Sequence, residues 1–462
     1  MENKDLLSDI AKMDKATSKV KAFINSLVDE NSFVETDVFM SGKNFDNSVE
    51  ALGEAVVTGY ATINGRSVQI FAQNPDVLKG SLSAAQADKI AKCMNRAVSS
   101  DTPLISIIDS CGARVGDGTS IMEGYAKLIR MSTILEDQVP HICIVNGACV
   151  GMMTTFVASA DFTFMSKDAV MSVNSPMYLL SDSKTLPVDY KKSLGFNSYK
   201  STSDLAQFTY DSNKDLKAQL DKLFNILSNE EEDTDSDPND VNPNIEKASA
   251  IDAVNMIFDE NSKLEYCADY AKDVSCSFEK INGINVGVIA TSGDYLSLDG
   301  LQKATSFINK LEVFGLPLIT LVDTKGIDSK LEDEVSGSAA YLSYALMGTI
   351  ASTSIPKIGV AFGNAIGYGY AALMSKEIGF NYTLAVTKSK ISPISEEVSI
   401  AMMSDQLKAE NRQENIAKLS AEYAEMLQNP LKAAKEGYVD NVIEATNLRP
   451  YIASALLMLL GI

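Results

Sequence analysis

A chain of 462 residues with 61 acidic and 40 basic side chains carries a formal charge of −21, which argues against nucleic acid or an anionic membrane as the main partner, because both reward a basic surface. At 45% hydrophobic and 22% charged residues the composition is that of a globular protein able to bury a large core, and the length favours two domains of roughly 200 residues each. His141 is the only histidine, so a Ser-His-Asp or Cys-His nucleophile system, or a histidine-rich metal site, would have to be built on that one residue.

The N-terminus, MENKDLLSDIAKMDKATSKV, is charged and lacks the apolar stretch of a signal peptide. No apolar run approaches the roughly 20 residues of a membrane span. Six cysteines without a C-x-x-C pair fit free thiols in a reducing compartment and disfavour a zinc ribbon. A cytoplasmic protein is expected.

In chain order, Lys19 to Glu35 reads as a helix running into a turn at Asp29-Glu30-Asn31-Ser32. Glu54–Tyr60 and Ser67–Gln73 are β-rich runs joined at Asn64-Gly65, a strong hairpin signal. Between Leu82 and Val98 the apolar residues Ala87, Ile90, Ala91, Met94 and Ala97 keep helical spacing. Pro103 to Asp109 has the pattern of a buried strand; a turn, Ser110-Cys111-Gly112-Ala113-Arg114, and a helix from about Ser120 to Leu135 come next. His141 lies in the next apolar run, VPHICIV, which favours a core or second-layer histidine over a catalytic one. The run ends in VNGACVGMMTT, Val145 to Thr155, a strand broken at glycines that turns into a helix. Such a junction leaves backbone N–H groups without intrahelical partners, aimed at whatever sits before the helix.

The second half repeats the first. Asp259-Glu260-Asn261-Ser262 echoes Asp29 to Ser32, and Asn282-Gly283 echoes Asn64-Gly65. Pro317 to Asp323 matches Pro103 to Asp109, and a second glycine junction, Gly363 to Gly369, repeats the first with Gly367 in the place of Gly151. The offset between equivalent residues stays nearly constant from pair to pair. A register held over this distance marks an internal duplication, and alternating strands and helices imply right-handed crossovers and a largely parallel sheet. The expected architecture is two tandem α/β domains, residues 1–228 and 247–462, joined by an acidic linker at 229–246. That linker lacks the glycine turn and ligand spacing of a calcium loop. Beyond Gln406 the chain reads as helical and charged up to Asn429-Pro430, and Tyr451 to Leu460 as a packing helix. Neither a P-loop nor a G-x-G-x-x-G fingerprint is present, which disfavours nucleotide chemistry.

VVTGYATINGRSVQIFAQN, IIDSCGARVGDG and VPHICIVNGACVG in the first half, with GLPLITLVDTKG, IPKIGVAFGNAIGYGYAALMSK and NPLKAAKEGYVDNVI in the second, resemble the biotin-dependent acyl-CoA carboxyltransferases. The likeness is to the single-polypeptide type, which includes the propionyl-CoA and methylmalonyl-CoA enzymes. It implies two crotonase-like domains, the first on the acyl-CoA side and the second on the biotin side, and it fits the shortage of histidines: biotin supplies the base, and the protein supplies position and oxyanion stabilisation. The family's glycine pair falls on Gly151 and Met152, which would hold the thioester enolate oxygen. Its twin falls on Tyr368 and Gly369, next to Gly367, and would polarise the biotin ureido oxygen. Gly112, Ala113, Arg114 and Gly147 are candidate substrate-binding residues, as are Gly367 and Ala371. Arg114 either meets a CoA phosphate or fixes its turn; Lys79 is either near CoA or a solvated loop lysine.

The sequence departs from the family pattern where Met152, Met153 and Tyr368 replace small residues, and two methionines would narrow an acyl pocket. Ala371 stands where the family often has an aspartate that influences acyl selectivity. No biotinylation motif occurs, so the resemblance implies a separate biotin carboxyl carrier protein. It also implies either a biotin carboxylase subunit or membrane decarboxylase subunits as further partners, and a homo-oligomer, dimer or hexamer. The alternatives to a carboxylase subunit are the alpha subunit of a sodium-pumping acyl-CoA decarboxylase and a non-catalytic scaffold.

Overall fold

A computed structural model describes residues 3–41, 52–136, 138–179, 189–228, 237–395, 398–399, 402, 418, 423 and 429–461. The chain divides into two compact units, Met1–Asn225 and Ile226–Ile462. Residues 229–236 of the expected linker, and nearly all of the charged stretch after Gln406, lie outside the described residues. Residues 237–247 close in a short 3-10 turn, Pro243–Lys247, whose Ile245 is buried in the core of the second unit.

The first unit is built on eight strands: β1 (Val34–Thr36), β2 (Val56–Ile63), β3 (Arg66–Gln73), β4 (Leu104–Ser110), β5 (His141–Val150), β6 (Phe162–Ser166), β7 (Val170–Ser172) and β8 (Phe208–Tyr210). Their order is β1-β2-β3-β4-β5-β6-β8, with β7 added to the far end of β5. The β1-β2-β3 pairings are antiparallel and all the rest are parallel.

The second unit repeats this plan. Its strands are β9 (Leu264–Tyr266), β10 (Val274–Ile281), β11 (Ile284–Thr291), β12 (Leu318–Thr324), β13 (Lys357–Ile366), β14 (Tyr382–Val386), β15 (Lys390–Ser392) and β16 (Asn441–Ile443). They run β9-β10-β11-β12-β13-β14-β16, with β15 on β13. The duplication read from the sequence is therefore one of topology.

The two repeated motifs that mark the duplication are partners in space. In each unit the N-G turn has both residues at positive φ, 49° and 75° at Asn64-Gly65 and 56° and 80° at Asn282-Gly283, the backbone of a tight hairpin. The carboxylate of Asp29 accepts the amides of Asn64 (3.1 Å) and Gly65 (2.9 Å). Asp259 accepts those of Asn282 (3.2 Å) and Gly283 (2.9 Å) in the same way.

The first helix, α1, spans Asn3–Asn25. It thus starts and stops earlier than expected, and Glu35 falls on β1. The helices α2 (Ala84–Ser100) and α3 (Ser120–Leu135) lie where the periodicity puts them. Ser83 caps α2 by accepting the Gln86 amide at 2.9 Å, and Ser297 caps Leu298–Phe314 by accepting the Gly300 amide at 3.0 Å. Ile90, Met94 and Leu128 from these helices meet Leu104, Ile108 and Val145 of the sheet in the first core. His141 belongs to that core: it is 1% exposed, with Nε2 2.8 Å from Ser106 Oγ and its ring 5.1 Å from that of Phe156. The final apolar run forms the helix Leu448–Leu460, packed into the second core by Ile452 and Leu456. No helix among the described residues is long and apolar enough to cross a membrane.

Candidate functional site

In each unit the central strand runs through the first glycine of its junction, Gly147 or Gly363, and ends just before the turning glycine, Gly151 or Gly367. The strand does not stop at Val145, as its apolar run suggests; β5 continues through Gly147 to Val150 because β7 pairs with Ala148, Cys149 and Val150. The pairing with β4 slips between Ile108 and Ser110, and that of β12 with β13 slips between Val322 and Thr324. At the slip an aspartate enters. Asp109 Oδ1 accepts the Ala148 amide at 3.0 Å, and Asp323 Oδ1 accepts the Asn364 amide at 2.7 Å and the Asn364 side-chain amide at 3.0 Å.

The chain then reverses at Gly151 (φ 78°) and Gly367 (φ 51°), backbone that favours glycine, and starts a short helix: α4, Met152–Val157, in the first unit, and Tyr368–Leu373 in the second. The amides of the two turning glycines are already used. Gly151 donates to the Ser172 carbonyl at 2.8 Å and Gly367 to the Ser392 carbonyl at 2.9 Å. The Thr154 amide returns to the Gly151 carbonyl, and the Ala371 amide to the Gly367 carbonyl. Among the described residues no backbone acceptor takes the amides of Met152 and Met153, or of Tyr368, Gly369 and Tyr370. Of the residues that the resemblance assigns as oxyanion donors, Gly151 thus has its amide engaged by the Ser172 carbonyl, while Met152, Tyr368 and Gly369 have no backbone acceptor among the described residues.

The replaced side chains differ in their placement. Met152 is 42% exposed at the start of α4, whereas Met153 is buried in the first core and does not line an open pocket. Tyr368 turns away from the junction and donates its hydroxyl to the Ser343 carbonyl at 2.8 Å; burial raises its pKa. Gly369 is held to glycine by packing, since a Cβ there would stand 2.3 Å from Thr324 Cγ2.

The Gly112 turn reaches the first junction. A Cβ on Gly112 would lie 3.4 Å from the Val150 carbonyl, and Ala113 bridges to Leu82 and is exposed. The Arg114 guanidinium is engaged: Nη1 donates to Glu54 Oε2 at 2.8 Å and Nη2 to the Ser81 carbonyl at 3.4 Å. Lys79 is exposed, and its carbonyl accepts the Cys111 amide. Ala371 is half-buried on the helix beyond the second junction.

Beside that junction lies a cavity of about 280 Å³, lined by Gly367, Tyr370, Ser392, Pro393, Lys432 and Tyr438 among others. The far side of this cavity comes from the helix Pro430–Lys435 and the turn after it, within the stretch NPLKAAKEGYVDNVI, on which no candidate site residue of the sequence falls. Nor did Asp109 and Asp323 stand out in the sequence as more than strand ends; the available signal was that they are equivalent residues of the two copies, in the register of the duplication.

Residues 15–460 match the carboxyl transferase domain family. The mitochondrial propionyl-CoA carboxylase beta chain of Sus scrofa is 30% identical over 470 residues, covering 96% of this chain and 85% of the relative. The methylmalonyl-CoA decarboxylase subunit alpha of Propionigenium modestum is 29% identical over 466 residues, covering 94% and 89%. Among solved structures, a transcarboxylase 12S hexamer with hydrolysed methylmalonyl-coenzyme A bound superposes with a TM-score of 0.89 at 25% identity, over 97% of this chain and 92% of that one. A single-chain, multi-domain long-chain acyl-CoA carboxylase shares the fold with a TM-score of 0.82 at 20% identity, over 98% of this chain and 48% of that one. Two topologically equal α/β units of crotonase-like type, each ending its central strand in a glycine junction, together with these matches, show that the chain belongs to the carboxyl transferase family.

Proposed function

We propose that the chain moves a carboxyl group between carboxybiotin, carried by a separate protein, and the α-carbon of a short acyl-CoA. The observation that supports this reading most is the pair of junctions with unclaimed amides at Met152 and Met153 and at Tyr368 and Gly369. Amides fixed by the fold and aimed at a position where negative charge develops stabilise an oxyanion without reorganisation, and losing one such donor typically costs about 10² to 10³ in rate.

On this reading the first unit is the acyl-CoA side. The amides of Met152 and Met153 receive the charge that grows on the thioester oxygen, and the Gly112-Ala113-Arg114 turn flanks the thioester. The exposed Met152 side chain trims the space for the acyl group. In the second unit the amides of Tyr368 and Gly369 face a ureido carbonyl. The adjoining cavity, with walls from Tyr370, Pro393 and Tyr438, has room for a small bicyclic ring such as that of biotin. Biotin, when its carrier brings it, supplies the carboxyl group and the base.

A carboxylase subunit and a decarboxylase subunit use one site in opposite directions, and the similarity to the Propionigenium modestum subunit supports the second as well as the first. The partners are accordingly a biotin carrier with either a biotin carboxylase or membrane decarboxylase subunits. A homo-oligomer, up to a hexamer, is supported by the transcarboxylase assembly. A cytoplasmic location is supported by six free thiols, of which Cys111 is exposed.

The test is direct. Purified protein given methylmalonyl-CoA or malonyl-CoA with free biotin is expected to release carbon dioxide and the shorter acyl-CoA. A well-folded protein that turns over neither would point instead to a scaffold role. Met152→Pro, compared with Met152→Ala as the control for the lost side chain, isolates the oxyanion assignment, because proline is tolerated at the first position of a helix and lacks the N–H. The proline variant is expected to lose about 10² to 10³ in turnover relative to Met152→Ala and to leave the melting temperature nearly unchanged; activity equal to that of Met152→Ala would sink the assignment.

A further inference from the structure

Asp109 and Asp323 occupy equivalent places at the ends of β4 and β12, and each does the same thing to the neighbouring strand. A Cβ on Gly147 would stand 2.4 Å from the Asp109 carboxylate, and one on Gly363 would stand 2.2 Å from the Asp323 carboxyl carbon. The carboxylate thus fills the space of the missing side chain. From there it holds the amide of the next residue, Ala148 or Asn364, at the point where the parallel ladder slips. The slip is a bulge, which bends the strand and re-aims the residues beyond it. Those residues are the turning glycine, Gly151 or Gly367, and then the unclaimed amides.

Each aspartate is itself held in place from the preceding strand, by a different residue in each copy. In the first unit Gln73 Oε1 accepts the Asp109 amide at 3.2 Å, Gln73 Nε2 donates to Gln86 Oε1 at 3.1 Å, and Gln86 Nε2 donates to the Glu54 carbonyl at 2.7 Å. Glu54 is also the partner of Arg114, so one chain of contacts joins the Gly112 turn to the Gly147 bulge. In the second unit Thr291 Oγ1 accepts the Asp323 amide and donates to the Asp323 carbonyl, both at 2.7 Å. Gln73 and Thr291 are the last residues of β3 and β11, equivalent strands of the duplication.

We propose that Asp109 and Asp323 are positioning residues for carboxyl transfer, each setting the strand bulge that aims the oxyanion donors of its unit. This rests on the oxyanion reading above. The role needs a hydrogen-bond acceptor of the right length and does not need a charge. Consistent with that, burial raises the Asp109 pKa against the opposing effect of the Ala148 amide, and the far side of Asp109 meets a cavity of about 120 Å³ lined by Gln73, Asn74 and Asn146 among others.

The experiment compares Asp109→Ala and Asp323→Ala with Asp109→Asn and Asp323→Asn in the full chain, using methylmalonyl-CoA and free biotin, with melting curves for each variant. An error of about 1 Å in placing a catalytic group costs on the order of 100-fold in rate. The alanine variants are therefore expected to lose about that much kcat with KM for methylmalonyl-CoA within roughly threefold of wild type. The asparagine variants, which keep Oδ1 as an acceptor, should recover most of it. Wild-type kcat in folded alanine variants overturns the proposal, as does an equal loss in the asparagine variants. If an alanine variant does not fold, Asp109→Glu or Asp323→Glu takes its place with the same expected loss, because the longer side chain displaces the acceptor. A Met152→Pro impaired relative to Met152→Ala, beside fully active aspartate variants, would reject this inference alone; a Met152→Pro as active as Met152→Ala would reject the oxyanion reading beneath it.

Discussion

Arg114 places its guanidinium 2.8 Å from the Glu54 carboxylate, in a pair whose side chains are 13% and 1% exposed. Glu54 sits in a run of three left-handed residues, Gly53, Glu54 and Ala55, with φ between 55° and 60°, and its carboxylate also accepts the Ser83 hydroxyl at 2.8 Å. Of the two roles open to Arg114 in the sequence, the geometry supports fixing the turn. Breaking a buried pair by removing one partner typically costs about 3 to 5 kcal/mol. Arg114→Met is therefore expected to destabilise the protein by about 3 kcal/mol, read as a lower urea midpoint with an unchanged slope. A loss under about 1 kcal/mol would show that Glu54 finds another cation or hydroxyl.

Gly369 and Thr324 make a second, sharper test. The 2.3 Å approach of a Cβ to Thr324 Cγ2 makes Gly369→Ala an overpacking change, costing about 1 to 3 kcal/mol and displacing an unclaimed amide. Thr324→Ser removes the offending methyl and keeps the hydroxyl that donates to the Asp294 carbonyl at 2.7 Å. The double variant should regain most of the stability and turnover that Gly369→Ala loses. A double variant no better than the single would show that the glycine is needed for a reason other than this contact.

Tyr368 separates side chain from backbone. Tyr368→Phe loses the hydrogen bond to the Ser343 carbonyl, worth about 1 kcal/mol, while its amide stays in place. Turnover should remain within a few-fold of wild type and the melting temperature should drop slightly. A collapse of activity in a folded Tyr368→Phe would assign the chemistry to the hydroxyl and not to the amide.

Glu279 gives the second unit a pH dependence. It is 3% exposed on β10, accepts the hydroxyls of Ser277 and Ser262 at 2.9 Å each, and burial pushes its pKa up to about 7, with Lys263 opposing and Glu265 adding to the rise. Because the folded value lies above the unfolded one, the folded state binds more protons between them. Its contribution is then full below about pH 4.5 and is lost as pH rises through about 7. Glu279→Gln should flatten the fall in stability over that window, as measured by denaturant unfolding at several pH values; an unchanged profile would remove Glu279 as its source.

The Asp29 and Asp259 clamps should rank by their partners. Beyond the turn amides Asp29 accepts the neutral Thr62 hydroxyl at 2.6 Å, whereas Asp259 accepts the charged Arg449 Nη2 at 2.6 Å, where the arginine side chain is 7% exposed. Asp259→Ala is therefore expected to cost more than Asp29→Ala, by about 2 kcal/mol. Equal losses in urea unfolding would mean that Arg449 is satisfied by the carbonyls of Ile257 and Asp237.

By itself the sequence determined the architecture, because the signals for it are local and occur twice. Asn64-Gly65 and Asn282-Gly283 demand hairpin backbone, α3 ends where its apolar spacing ends, and the near-constant offset between equivalent residues ties one copy to the other. The glycine junctions were legible for the same reason, since Gly151 and Gly367 need angles that other residues resist. Which amides those junctions leave unclaimed was decided by tertiary structure alone. Ser172 and Ser392 lie on strands that arrive later in the chain and take the glycine amides. Asp109 and Asp323 act across a strand pairing, at a bulge that no local pattern marks. Lys89 and Lys303, on helices in equivalent places of the two copies, are buried and donate to the Val56 and Tyr270 carbonyls at 2.8 Å each. A hydrogen bond between segments distant in sequence depends on where the sheet brings them, so a linear pattern carries the donor and leaves its acceptor unspecified.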